Sequence, residues 1–117
     1  MSAWTDICRV SDLVPDSGIC ALYKGEQVAI FKFETERRVF AVSNFDPIGE
    51  ANVMSRGILG TLGTDTVVAS PLYKQHFCLE TGRCLEDENQ WLKTYPVRVH
   101  RGQIQLREGL PVPEQTA

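Results

Sequence analysis

Apolar positions along this chain alternate in short runs and never settle into a helical period. No stretch of 11 or more residues carries a sustained 3.6-residue apolar repeat, whereas short β-branched and aromatic runs recur about every ten residues between turn signals. The pattern predicts strands over residues 4–8, 19–23, 27–33, 38–43, 66–70, 75–79, 96–100 and 103–107. Ser11–Gly18 is rich in turn formers and reads as a loop with room for one helical turn. Lys24-Gly25-Glu26 reads as the tight turn of a β-hairpin, Glu34–Arg37 as a charged turn, and Arg101-Gly102 as the turn of a last hairpin. In that hairpin Val97 and Val99 face one side, with Ile104 and Leu106 as their counterparts. Glu50–Gly63 holds three glycines and scattered apolar residues, so it reads as irregular chain with one short strand near Ile58-Leu59. Many short strands and no amphipathic helix predict an all-β sandwich or small barrel of antiparallel strands.

Composition narrows the picture. The 117 residues form one domain, 1–108, followed by a Pro-containing tail, 109–117, that lacks a core-forming pattern and is expected to be flexible. A chain that is 43% hydrophobic and 23% charged can build a core without staples. Its net charge of −3 argues against binding nucleic acid through a basic surface. No apolar run reaches the roughly 20 residues of a membrane span, and the first residues show neither a basic nor an apolar leader segment, so a cytoplasmic location is expected. Phe31, Phe33, Phe40 and Phe77 fall in strands and are expected in the core, while Trp4, Trp91 and Tyr95 stand near element ends as core caps or partner contacts.

Two short loops, each carrying a proline, stand about twenty residues apart at strand ends: Asn44-Phe45-Asp46-Pro47-Ile48-Gly49 and Ser70-Pro71-Leu72-Tyr73. Phe77 and Thr81-Gly82 follow. The order and spacing of these features resemble the two cluster-binding loops of the Rieske iron–sulfur family, which implies an all-β, Rieske-like fold with two protruding loops. A Rieske centre needs two Cys thiolates and two His imidazoles. The positions matching those ligands are Asp46, Ile48, Ser70 and Tyr73, so the loops keep their backbone punctuation and lose their metal chemistry.

Longer segments are similar to the small subunit of bacterial NADH-dependent nitrite reductase. They are Trp4-x-Asp6-Ile7-Cys8, Gly18-x-Cys20-Ala21-Leu22, Glu26–Phe31, Val39–Pro47, Met54–Gly60 and Val68–Leu72, with Lys74-Gln75-x-Phe77. That family resemblance implies a Rieske-like domain without a cluster, no catalytic residue and no metal in this chain. It implies a large catalytic subunit as partner, carrying FAD, an iron–sulfur cluster and sirohaem and reducing nitrite to ammonium in nitrate and nitrite assimilation. Ile48, Leu72 and Tyr73 would form a partner-facing loop tip.

Other chemistry is weaker. His76, Cys78 and Cys84 are zinc-type donors, but their His-x-Cys-x5-Cys spacing is wider than structural zinc sites use. No nucleophile elbow, phosphate loop or dinucleotide fingerprint activates a cysteine, and Cys20 and Cys78 lie in apolar strand contexts that raise a thiol pKa. The acidic Glu86-Asp87-Glu88 stretch reads first as a solvated loop. Two rival readings are a free-standing electron carrier of the Rieske-ferredoxin type, using atypical ligands such as Cys78 and Cys84, and an interaction module of another oxidoreductase.

Overall fold

The computed structural model describes residues 3–109 and contains eleven antiparallel strands. In chain order they are β1 (Thr5–Arg9), β2 (Ser17–Tyr23), β3 (Glu26–Phe33), β4 (Arg38–Ser43), β5 (Phe45–Asp46), β6 (Ala51–Asn52), β7 (Ile58–Leu62), β8 (Asp65–Ala69), β9 (His76–Cys78), β10 (Val97–His100) and β11 (Gln103–Leu106). They form three three-stranded sheets, β1-β11-β10, β2-β3-β4 and β7-β8-β9, and the small ribbon β5-β6. Single 3-10 turns at Val10–Asp12, Glu34–Glu36 and Met54–Arg56 complete the described regular structure. None of its helices is long and apolar enough to cross a membrane.

The central sheet explains the packing. β3 pairs with β2 on one edge and β4 on the other. Val28, Ala29, Ile30 and Phe31 are fully buried, so both faces of the strand are covered and its sequence runs apolar without alternation. Ala29, Phe31 and Phe33 join Phe40, Met54, Val68, Phe77 and Leu92 in one apolar cluster. Val28 and Ile30 join Leu13, Tyr23, Tyr95, Ile104 and Leu106 in another. The first cluster lies under β7-β8-β9 and the two loops, the second under β1-β11-β10.

The strand reading holds within a residue or two, with three corrections. The β2–β3 turn has two residues, not three. Lys24 and Gly25 both take positive φ, 50° and 80°, the geometry a tight hairpin demands, and Glu26 already pairs with Tyr23. Glu50–Gly63 is more ordered than expected: β7 spans five residues paired with β8. Its apolar signal is weak because it is an edge strand, with Ile58 and Leu62 exposed. Cys84, expected in an exposed segment, is buried in the first cluster and bridges to Phe77. The expected tail, beyond Gly109, lies outside the described residues.

Candidate functional site: the paired loops

Asn44 closes β4 and anchors the first loop. It is 2% exposed, and its backbone N–H donates to the Gln27 carbonyl at 3.0 Å. Its carbonyl accepts from Met54 N–H at 3.0 Å and its Oδ1 from Ser55 N–H at 2.7 Å, so one residue, through backbone and side chain together, fixes the chain both leaving and returning. Nδ2 donates to Gln27 Oε1 at 3.0 Å. Nothing in the sequence marks Met54 as core, yet it is fully buried in the 3-10 turn that Asn44 holds.

Asp46 is the centre of the site. Its side chain is fully buried, and Oδ1 accepts the backbone N–H groups of Ile48 at 2.8 Å and Gly49 at 3.1 Å. An aspartate capping its own turn in this way explains why Asp precedes Pro here. Its Oδ2 accepts the Ser70 hydroxyl from the second loop at 2.5 Å. Ser70 is 1% exposed, and its Oγ also accepts Leu72 N–H at 3.2 Å. Ser70 N–H to Gln75 O and Lys74 N–H to Ser70 O, at 2.9 and 3.0 Å, close the second loop on itself. Both loops are therefore rigid by their own hydrogen bonds and clasped to one another by a carboxylate and a hydroxyl.

The remaining positions divide. Ile48 is half-buried and packs against the first core cluster, filling space between loop and core. Leu72 is 43% exposed and Tyr73 63% exposed, so the outward part of the tip belongs to the second loop. A Cβ on Gly49 would stand 2.4 Å from Leu72 Cδ1, so the missing side chain is what lets Leu72 lie against the first loop.

The donor set does not fit an iron–sulfur cluster. Both oxygens of Asp46 are engaged by protein donors, Ile48 has no lone pair, and the Tyr73 side chain is turned to solvent. Elsewhere, His76 Nδ1 lies 2.6 Å from Glu86 Oε2, and Glu86 Oε1 accepts His76 N–H at 2.8 Å. Burial pushes the Glu86 carboxyl up, but the hydrogen bonds from His76 outweigh it and hold the group below its ordinary value. Burial raises the Cys84 and Cys8 thiols, a direction that suits inert core cysteines. Cys20 departs from its expected apolar setting: it is exposed, with Sγ 3.5 Å from both Gln27 Oε1 and Asn44 Nδ2. Among the described residues no three His, Cys, Asp or Glu side chains form a group able to hold a metal ion. An open cleft of about 370 Å³, lined by Asp65, Cys78, Thr81, Arg83, Cys84, Leu85 and Glu88, takes no residue from either loop.

Three packed sheets with two loops clasped together by the Asp46–Ser70 hydrogen bond define a Rieske-type domain. The Rieske-like [2Fe-2S] domain family matches residues 3–107. The Salmonella typhimurium nitrite reductase (NADH) small subunit is 50% identical over 107 residues, 92% of this chain and 99% of that one. The NMR structure of Escherichia coli NirD superposes with a TM-score of 0.84 at 49% identity, covering 93% of this chain and 99% of that one. The Klebsiella oxytoca nitrite reductase [NAD(P)H] large subunit is 39% identical over 101 residues, 86% of this chain but only 10% of that polypeptide. The chain belongs to the Rieske-like domain family, in the branch of the nitrite reductase (NADH) small subunits.

Proposed function

We propose that this chain is the small, non-catalytic but required subunit of a cytoplasmic NADH-dependent nitrite reductase. It holds no cluster of its own and binds a large subunit that carries FAD, an iron–sulfur cluster and sirohaem and reduces nitrite to ammonium. The observation that carries this reading is the Klebsiella oxytoca relative, in which a stretch similar to 101 residues of this chain is part of the large subunit's own polypeptide. A domain built into one chain in one organism and separate in another is expected to dock on the same partner in both.

The loop tip supports the reading. Leu72 and Tyr73 are exposed on a loop held rigid by Ser70, and Leu72 lies against Gly49 of the first loop. Preordered apolar and aromatic side chains suit an interface core because little freedom is lost on binding. The test is binding of the purified chain to the purified large subunit, with nitrite-dependent NADH oxidation as second readout. Leu72→Asp and Tyr73→Asp are each expected to weaken binding about tenfold or more. Wild-type affinity in both variants would remove the tip from the interface. Failure of the wild-type chain itself to bind or to raise activity would remove the partnership.

A further inference from the structure

The outer face of the β1-β11-β10 sheet carries two arginines that form no ion pair among the described residues. Register places Asp6 opposite Gln105 and Arg98 opposite Gln105, so the three share that face with Arg107 two residues on. Trp4, just before β1, lies under two guanidinium groups: Arg98 at 4.4 Å and Arg107 at 4.7 Å from its ring centroid. Arg98 Nε donates to Gln105 Oε1 at 2.7 Å, and Gln105 Nε2 donates to Asp6 Oδ1 at 2.6 Å, so the Asp6 carboxylate is engaged by an amide. Among the described residues neither arginine forms an ion pair, although the chain as a whole is net acidic. Arginines preordered by stacking on an indole lose little freedom when they then bind a carboxylate.

Chain direction says what meets this face. β1 and β11 are antiparallel neighbours, with Thr5 opposite Leu106, so the domain begins and ends side by side, at Trp4 and Arg107. In the Klebsiella oxytoca relative the backbone that joins such a domain to the rest of the large subunit must leave through one of these two ends. Either route tethers the large subunit beside the Trp4 face, which favours that subunit as the occupant of this face.

We infer that Trp4, Arg98 and Arg107 form a second docking surface, separate from the loop tip, that receives a carboxylate-bearing segment of the large subunit. This rests on the partnership proposed above. The two surfaces lie over different core clusters, the tip over that of Phe77 and this sheet over that of Ile104 and Leu106. They therefore separate in a mutational test, and they differ in physics: an ion-pairing surface makes binding fall with salt, an apolar tip does not.

The experiment measures affinity of the full chain for the large subunit across a salt series. The Arg98→Glu/Arg107→Glu variant is expected to bind about tenfold or more weakly at low salt and to lose most of the salt dependence. The Arg98→Lys/Arg107→Lys variant is expected to keep the salt dependence with weaker binding. Leu72→Ala is expected to weaken binding and leave the salt dependence unchanged. Wild-type affinity and salt dependence in the charge-reversed variant would overturn the inference while leaving the partnership intact; a wild-type chain that does not bind overturns both. Should charge reversal unfold the domain, hydroxyl-radical footprinting of the wild-type complex decides. Protection of Trp4 on binding supports the surface, and unchanged oxidation overturns it.

Discussion

At the scale of single residues, the informative feature is one buried carboxylate. Asp46 accepts three donors, two from its own turn and one from Ser70, which lies 24 positions away in sequence. Removing it strands buried N–H groups and a hydroxyl, each at a desolvation cost. Asp46→Ala is expected to lower unfolding free energy by about 3 kcal/mol and Ser70→Ala by about 1–2 kcal/mol. The double variant should fall short of their sum by about 1 kcal/mol in urea denaturation, and strict additivity would mean that the clasp is not energetically coupled. The sequence places Asp46 and Ser70 in two proline-bearing loops at strand ends, and that much was legible. The bond between them was not, because nothing local to either residue says that two loops so far apart in sequence meet with oxygen facing hydroxyl. A second residue-scale consequence concerns Glu26, whose carboxylate accepts the Tyr95 hydroxyl at 2.6 Å and the Lys93 ammonium at 3.0 Å. Those bonds hold its pKa below the ordinary carboxylate value. A group depressed in the folded state contributes stability above its unfolded pKa and loses it as pH falls through the folded one. Wild-type stability should therefore drop more than that of Glu26→Gln as pH falls from neutral to below the ordinary carboxylate range of about 4. Parallel pH curves for the two proteins in chemical denaturation would contradict this.

At the scale of elements, the sequence located most strands and turns but not always their lengths. Arg101-Gly102 sits where expected, with φ of 52° and 77° in the tight β10–β11 hairpin. β7 is longer than the short strand expected near Ile58-Leu59, because period-two reading depends on one face being apolar and its side chains are exposed or half-buried. Buried Cys84 was missed because its neighbours in sequence are acidic, while its neighbours in space are Phe77 and the first core cluster. Thr81-Gly82, part of the resemblance to the Rieske pattern, now has a physical reason. Gly82 has φ of 84°, and a Cβ there would stand 2.0 Å from the Leu92 carbonyl oxygen. That oxygen belongs to backbone, which cannot swing aside as a side chain does. Gly82→Ala is expected to cost about 3 kcal/mol or more, from left-handed strain plus the clash. Gly25→Ala, at φ of 80° in open space, should cost only about 1–2 kcal/mol of strain. Equal midpoints for the two variants in thermal or urea unfolding would show that the close approach to Leu92 is not what fixes the glycine.

At the scale of the molecule, two apolar clusters meet at one strand. The sheet formed by β1, β11 and β10 packs into the cluster of Ile104 and Leu106, and that of β7, β8 and β9 into the cluster of Val68 and Phe77. β3 supplies fully buried side chains to both, Val28 and Ile30 on one face and Ala29 and Phe31 on the other. Neither outer sheet can separate without exposing one face of β3, so the domain is expected to unfold as one unit rather than as two halves. Native-state hydrogen exchange tests this directly. Amides of β3 should exchange only through global opening, with a free energy and urea dependence equal to those of equilibrium unfolding. The slowest amides of β8 and β11 should converge on the same values, since each sheet is held through β3. Amides at the exposed tip around Leu72 and Tyr73 should exchange through local opening with little urea dependence, because freeing them exposes little buried surface. Slowest amides in β8 and β11 that settle on different free energies would show that the two clusters open independently. The tip and the Trp4 face would then stand on two separately stable halves, and partner binding at one would not stabilise the other.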